Sequence, residues 1–150
     1  MRRYLVVANQ TLGGEELWAA IRERIAAGDC HFHLVVPATP AGQLDPAFTA
    51  EVAAEGEPGE DLGRRLARQR MRHELDRMRE LGASVSGEIG VADPVDAVRV
   101  VLHRWEFDEV ILSTLPGRRS RWLAADLPTK IRRGFKLQVT QVTGATAAKG

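Results

Sequence analysis

The stretch Phe107-Asp108-Glu109-Val110-Ile111-Leu112-Ser113-Thr114-Leu115-Pro116-Gly117-Arg118-Arg119-Ser120-Arg121 decides the fold, because its apolar run stops at two hydroxyls and opens into a Gly/Arg loop. Buried parallel strands end this way at a ligand edge: in open α/β sheets, ligands sit outside the carboxyl ends of the strands, where loops expose backbone N–H groups. The loop is also basic. From Gly117 to Lys136 it carries Arg118, Arg119, Arg121, Lys130, Arg132, Arg133 and Lys136 against Asp126 alone, a charge balance that suits an anionic ligand.

The rest of the chain alternates strands and helices around this run. Tyr4-Leu5-Val6-Val7-Ala8 is a short continuous apolar run, as expected of a central strand covered on both faces. Thr11 reads as an N-cap, followed by Glu15 and Glu16 and then by Leu17, Ile21 and Ile25 before Gly28, an amphipathic helix. Phe32 to Val36 repeats the strand signal and stops at Pro37. Ala38 to Gly59 has no sustained period and reads as a long surface connection. From Asp61, Leu62, Leu66, Met71, Leu75, Met78 and Leu81 mark the longest helix, ending at Gly82.

Ala83 to Ile89 is a weaker strand signal. Asp93-Pro94-Val95-Asp96 then places an N-cap, a proline at the first helical position and a carboxylate near the positive end of the dipole. Val95, Val98, Leu102 and Trp105 mark the buried stripe of that helix. After the strand at Val110 to Leu112 come a short helix around Leu127, Ile131 and Phe135 and a last strand, Leu137 to Val142. Five strands alternating with four helices predict one doubly wound α/β domain over residues 1–143, with a parallel sheet in the order 3-2-1-4-5 and a flexible tail at 144–150.

Composition narrows the function classes. A chain of 150 residues, 44% hydrophobic and 27% charged, holds a single core, and its net charge of +1 argues against a dedicated nucleic-acid binder. The basic tract is thus a local feature. Cys30 alone excludes an internal disulfide framework, and no signal-peptide pattern or apolar run of membrane length is present, so the chain reads as soluble and cytoplasmic. Cys30, His31 and His33 invite a metal, but they open their strand at the end opposite the ligand edge, and no metal is expected. His73 and His103 read as helix-surface residues, and Trp18, Trp105 and Trp122 as packing residues. Gly13-Gly14 lacks the rest of any phosphate-loop motif, and no nucleophile elbow or comparable catalytic signature is present.

Taken together, Tyr4 to Thr11, Gly90-Val91-Ala92-Asp93-Pro94, Phe107 to Thr114 and the terminal strand resemble the universal stress protein (UspA-like) family over nearly the whole chain. The resemblance implies a nonenzymatic domain, regulatory in stress response, that binds AMP or ATP and forms a homodimer through Leu137 to Val142. Base and ribose are expected near Asn9, Thr11, Val36 and Ala38, and phosphate along Ser113, Thr114, Gly117, Arg118, Arg119 and Ser120, where guanidinium and hydroxyl groups offer an anion site of their own. The family's glycine-rich ATP signature falls here on Ser113, Pro116, Asp126 and Leu127, none of which keeps the pattern. Asp126 sets a carboxylate near the anion, which points away from a triphosphate held in the usual mode. The alternative is a dimeric interaction module of the same fold without nucleotide. Ser113 and Thr114 also read simply as residues that satisfy loose backbone groups at a strand end.

Overall fold

The computed structural model describes residues 1–8, 14–38, 62–91, 93–114 and 127–143. The strands are β1 (Arg2–Ala8), β2 (Cys30–Pro37), β3 (Val85–Gly90), β4 (Glu109–Thr114) and β5 (Gln138–Thr143), and the helices α1 (Glu15–Ala27), α2 (Leu62–Glu80), α3 (Pro94–Arg104) and α4 (Leu127–Phe135). The sheet order is β3-β2-β1-β4-β5 and every pairing is parallel, as the alternation predicts. The expected loop from Ala38 to Gly59 lies almost wholly outside the described residues, as do Trp122 and the tail.

The period of two in the strands sorts the core into two halves. Tyr4, Val6, Ala8, Phe32, Leu34, Val36 and Ile111 face α1 and α2, where Leu17, Trp18, Ile21, Ala67 and Met78 cover them. Leu5, Val7, Val35, Val110 and Leu112 face α3 and α4, against Val98, Val101, Leu127 and Ile131. The rings of Tyr4 and Phe32 stack with centroids 5.2 Å apart. Because both sides of β1 and β2 are covered, their sequences read as unbroken apolar runs instead of alternating ones.

Helix ends follow their local chemistry, with one correction. Asp93 accepts hydrogen bonds from the Val95 and Asp96 amides at 2.9 and 3.1 Å, and Pro94 begins α3 as expected. The first helix, however, starts at Glu15 with Gly14 as its N-cap, so Thr11 is not the cap. Gly costs only a few tenths of a kcal/mol relative to a side-chain cap, and Glu15 and Glu16 still meet the positive end of the dipole. Gly82, at φ 90°, turns the chain out of α2 in a conformation that favours glycine. Pro37 is the last residue of β2, where the strand signal stops, and is paired with Gly90. Trp105 departs from the buried stripe: it caps α3 and remains 37% exposed, its edge against His33 and its face under the Arg104 guanidinium.

Two polar clusters cross the core. In the first, Arg24 of α1 holds the Glu109 carboxylate with both oxygens, at 3.2 and 2.6 Å, and the Thr140 hydroxyl donates to the same carboxylate, tying α1 to β4 and β5. The two side chains are 14% and 8% exposed, so losing one partner strands a desolvated charge. In the second, His31 and His33 of β2 face Ser84, Ser86 and Glu88. Burial, then the nearby Arg3 and His33, holds His31 below its ordinary value; burial, then Asp29, pushes the Cys30 thiol up.

Glu109→Leu is expected to destabilise the domain by about 3–5 kcal/mol, measured by urea unfolding, because the Arg24 charge stays behind. The double variant Arg24→Leu with Glu109→Leu is expected to recover most of that loss; equal destabilisation in both would remove the pair from this account.

Candidate functional site

The carboxyl edge of the sheet carries the candidate site. From β1 the chain crosses to β2 on one side, whereas β4 lies on the other, so the strand order reverses between β1 and β4. Such a switch point opens a crevice, since the loops leaving the two strands diverge to opposite faces. Register sets the floor: Ala8 pairs with Ser113, and Ser113 with Val142. Val36 pairs with Ile89 on the other flank, one residue beyond the Val7–Val35 pair, so Val36, Ala8 and Ser113 lie in one row across three strands.

The row is a wall of the core more than an open surface. Val36 is 2% exposed and packs toward α1 and α2. Ser113 and Thr114, expected where the strand gives way to the loop, are instead the last two residues of β4 and fully buried. Thr114 points to the opposite side from Ser113 and has its hydroxyl engaged: it accepts from the Gln141 amide at 2.9 Å and lies within 3.5 Å of the Val142 carbonyl as donor. It therefore locks β4 to β5. Ala38 is the described residue that reaches the edge; its N–H donates to the Gly90 carbonyl at 2.9 Å. Asn9, Thr11, Gly117, Arg118, Arg119 and Ser120 lie outside the described residues.

Gly90, at the end of β3, is a close-packing residue that the strand pattern did not single out. A Cβ there would come to 2.8 Å from the Ala97 Cβ and 3.1 Å from Val35, so the missing side chain lets α3 sit directly against β3 and β2. The signal was in the sequence, as glycine ending a strand just before an Asp-Pro helix start. At the opposite, amino end of the sheet, an open cleft of about 490 Å³ is bordered by Arg2, Tyr4, Arg24 and Asp29. Arg24 is already committed there to Glu109. No three His, Cys, Asp or Glu side chains among the described residues converge as a metal set, and no helix among them is long and apolar enough to cross a membrane.

An open parallel sheet with both faces covered and a reversal of strand order between β1 and β4 define a doubly wound α/β domain. No protein-family model matches the chain, and no curated protein matches its sequence. Solved structures do match its fold. A universal stress protein in complex with cAMP aligns with a TM-score of 0.59 at 18% identity, over 95% of this chain and 98% of that one. A universal stress protein family protein from Arabidopsis thaliana with AMP bound gives 0.64 at 11% identity, over 97% and 93%. A deacetylase triple mutant of the teicoplanin biosynthetic pathway gives 0.60 at 11% identity, with all of this chain covering 68% of that one. The chain has the universal stress protein fold and is UspA-like in architecture.

Gly90→Ala is expected to cost about 1–3 kcal/mol in chemical unfolding, since α3 must move to admit one methyl. An unchanged midpoint would mean that α3 does not depend on this close approach.

Proposed function

We propose that this domain binds an adenosine monophosphate-type nucleotide at the carboxyl edge, between the ends of β1 and β4. The observation that carries the reading is the reversal of strand order there, with Ala8 and Ser113 paired on either side of it. The two UspA-fold structures that hold AMP and cAMP support the ligand class. In sequence Asn9 and Thr11 follow β1 and Ala38 follows β2, and these are the residues proposed for a base and ribose; Gly117, Arg118, Arg119 and Ser120 follow β4 and are proposed for the phosphate, which guanidinium pairs with bidentately. Glu15 and Glu16 occupy the first turn of α1, so that helix start repels an anion and leaves the phosphate to the β4 loop. A regulatory part in stress response and a cytoplasmic location go with this reading.

Calorimetry with adenosine, AMP and magnesium-ATP tests it. AMP is expected to bind at least as well as ATP, and weakly. Tight, magnesium-dependent ATP binding overturns the monophosphate preference. Replacing Arg118 and Arg119 with Ala is expected to weaken AMP by about 1.5–3 kcal/mol per lost charge-assisted bond while sparing adenosine. The burial of Ser113 and Thr114 favours a second reading, the nucleotide-free interaction module, and failure of every adenosine compound to bind would establish it over the first.

The same proposal includes a homodimer through β5. Gln138-Val139-Thr140-Gln141-Val142-Thr143 is uncharged, and among the described residues it pairs with β4 alone, leaving one edge without the charges that normally blunt it. Antiparallel pairing with a two-fold mate would satisfy that edge. Light scattering is expected to give a dimer at micromolar concentration, and Val139→Pro to release monomer or cause aggregation. A monomer mass for the unmodified protein contradicts the assembly.

A further inference from the structure

We propose that His31 and His33 form a binding site for a transition-metal ion of the Zn²⁺ or Cu²⁺ class, with Ser86 as its third polar group. The two histidines stand two residues apart on β2 and so project from one face. Across the sheet, β3 presents Ser86 and Glu88 on that same face, with Ser86 in register with His33. The inner ring nitrogens converge on one atom: His31 Nε2 lies 2.8 Å and His33 Nδ1 2.7 Å from the Ser86 Oγ.

The outer nitrogen of His33 is held as it is in metal-ligating histidines, whose free N–H is given to a carboxylate or another acceptor, and that of His31 faces a hydroxyl that can take either role. His33 Nε2 is 2.9 Å from the Glu88 carboxylate, which Arg104 holds in turn, and His31 Nδ1 is 2.8 Å from the Ser84 hydroxyl. The edge of the Trp105 ring, at a centroid distance of 5.1 Å, and the stacked Phe107 ring, at 6.2 Å, fix the His33 plane.

Counting protons shows what a metal would change. Glu88 accepts only, so His33 donates Nε2–H to it and His33 Nδ1 accepts from Ser86. Ser86 then has no second proton, and His31 must donate Nε2–H to it while accepting from Ser84 at Nδ1. A metal ion needs both inner lone pairs. His31 supplies its own by moving the proton from Nε2 to Nδ1 through solvent, where the Ser84 hydroxyl turns from donor to acceptor. No net proton is released: two metal–nitrogen bonds form, two metal-bound waters leave, and Ser86 keeps its proton.

Imidazole donors select Zn²⁺ or Cu²⁺ over Mg²⁺ or Ca²⁺, which take oxygen ligands. With two nitrogens and one neutral hydroxyl the ion keeps water in its remaining positions, a reversible site instead of a closed structural one. His31 and Ser86 are partly exposed, which gives the ion a path, whereas His33 is 5% exposed and preorganised. The site lies on the α3 side of the sheet, toward its amino end, apart from the carboxyl edge, and does not depend on the nucleotide reading.

The test is calorimetric titration of the full chain with ZnCl₂, CuCl₂ and MgCl₂, joined to nitrogen NMR of the histidine rings. One Zn²⁺ per chain is expected, shifting the ring nitrogens of His31 and His33 and sparing those of His73 and His103, with no response to Mg²⁺. His31→Ala is expected to weaken Zn²⁺ at least about tenfold and Glu88→Gln about 10–100-fold, while Cys30→Ala leaves it unchanged. Ser86→Cys is expected to tighten it by adding a thiolate. Should His31→Ala fail to fold, the ring shifts of the unmodified protein decide. Absence of saturable Zn²⁺ binding, or binding that shifts only His73 or His103 or is lost with Cys30, overturns the proposal.

Discussion

The structure depends on the burial of β1 on both faces. Leu5, Val6 and Val7 are fully buried, the first and third against α3 and α4 and the second against α1 and α2, so the two halves of the core meet on this one strand. A strand with neighbours on both edges and helices on both faces must satisfy its backbone entirely by pairing, and parallel pairing to β2 and β4 does this. Parallel neighbours require crossover helices, and right-handed crossovers put successive helices on the faces observed. The order β3-β2-β1-β4-β5, with its reversal between β1 and β4, is a consequence of that constraint.

Two paired polar clusters enter this core. Arg24 joins α1 to the outer half of the sheet through Glu109 and Thr140, also packing over the Tyr4 ring at 5.6 Å. The His31, Ser86, His33 and Glu88 ladder does the same on the other face, between β2 and the edge strand β3. The two differ in what they leave available. Arg24 and Glu109 neutralise each other in a nearly closed contact, whereas the ladder contains lone pairs whose proton assignment can change without a charge being stranded. Its capacity for chemistry comes from that freedom, not from exposure, which is small at His33.

Apolar periodicity made the strands, the helices and their order legible, because burial on both faces writes itself directly into runs such as Leu5-Val6-Val7 and Val110-Ile111-Leu112. Asp93-Pro94 was equally plain, since a carboxylate cap and a first-turn proline are local signals. Features settled by a distant partner were not. Ser113 and Thr114 look like a strand end, yet β5 extends beside them, and Gln141 and the Val142 carbonyl give Thr114 its hydrogen bonds inside the sheet. Gly14 caps α1 without a side chain, so the nearby Thr11 carried the stronger sequence signal. The alternation Ser84, Ser86, Glu88 opposite His31 and His33 became meaningful only once the register of β2 and β3 was known. Of the residues expected at the ligand edge, Val36, Ala38, Ser113 and Thr114 fall among those described, and three of these four are buried structural residues.

The fold by itself is compatible with more than one chemistry, since UspA-fold proteins holding AMP or cAMP and a deacetylase of the teicoplanin pathway align with it comparably. What separates the possibilities is the character of the carboxyl edge. A nucleotide site of the glycine-rich kind places bare backbone N–H groups against phosphate, and glycine serves there because any side chain would hold the oxygens away. This chain has Ser113, Pro116 and Asp126 at those positions and offers arginines after β4 instead. Guanidinium reaches phosphate over the length of a flexible side chain and carries its charge with it, whereas backbone amides recognise a fixed shape at close range. An edge built on the first principle favours small anions bound loosely over a triphosphate gripped along its length, so the proposed monophosphate ligand rests on the absence of those glycines and on the arginines after β4 more than on the fold.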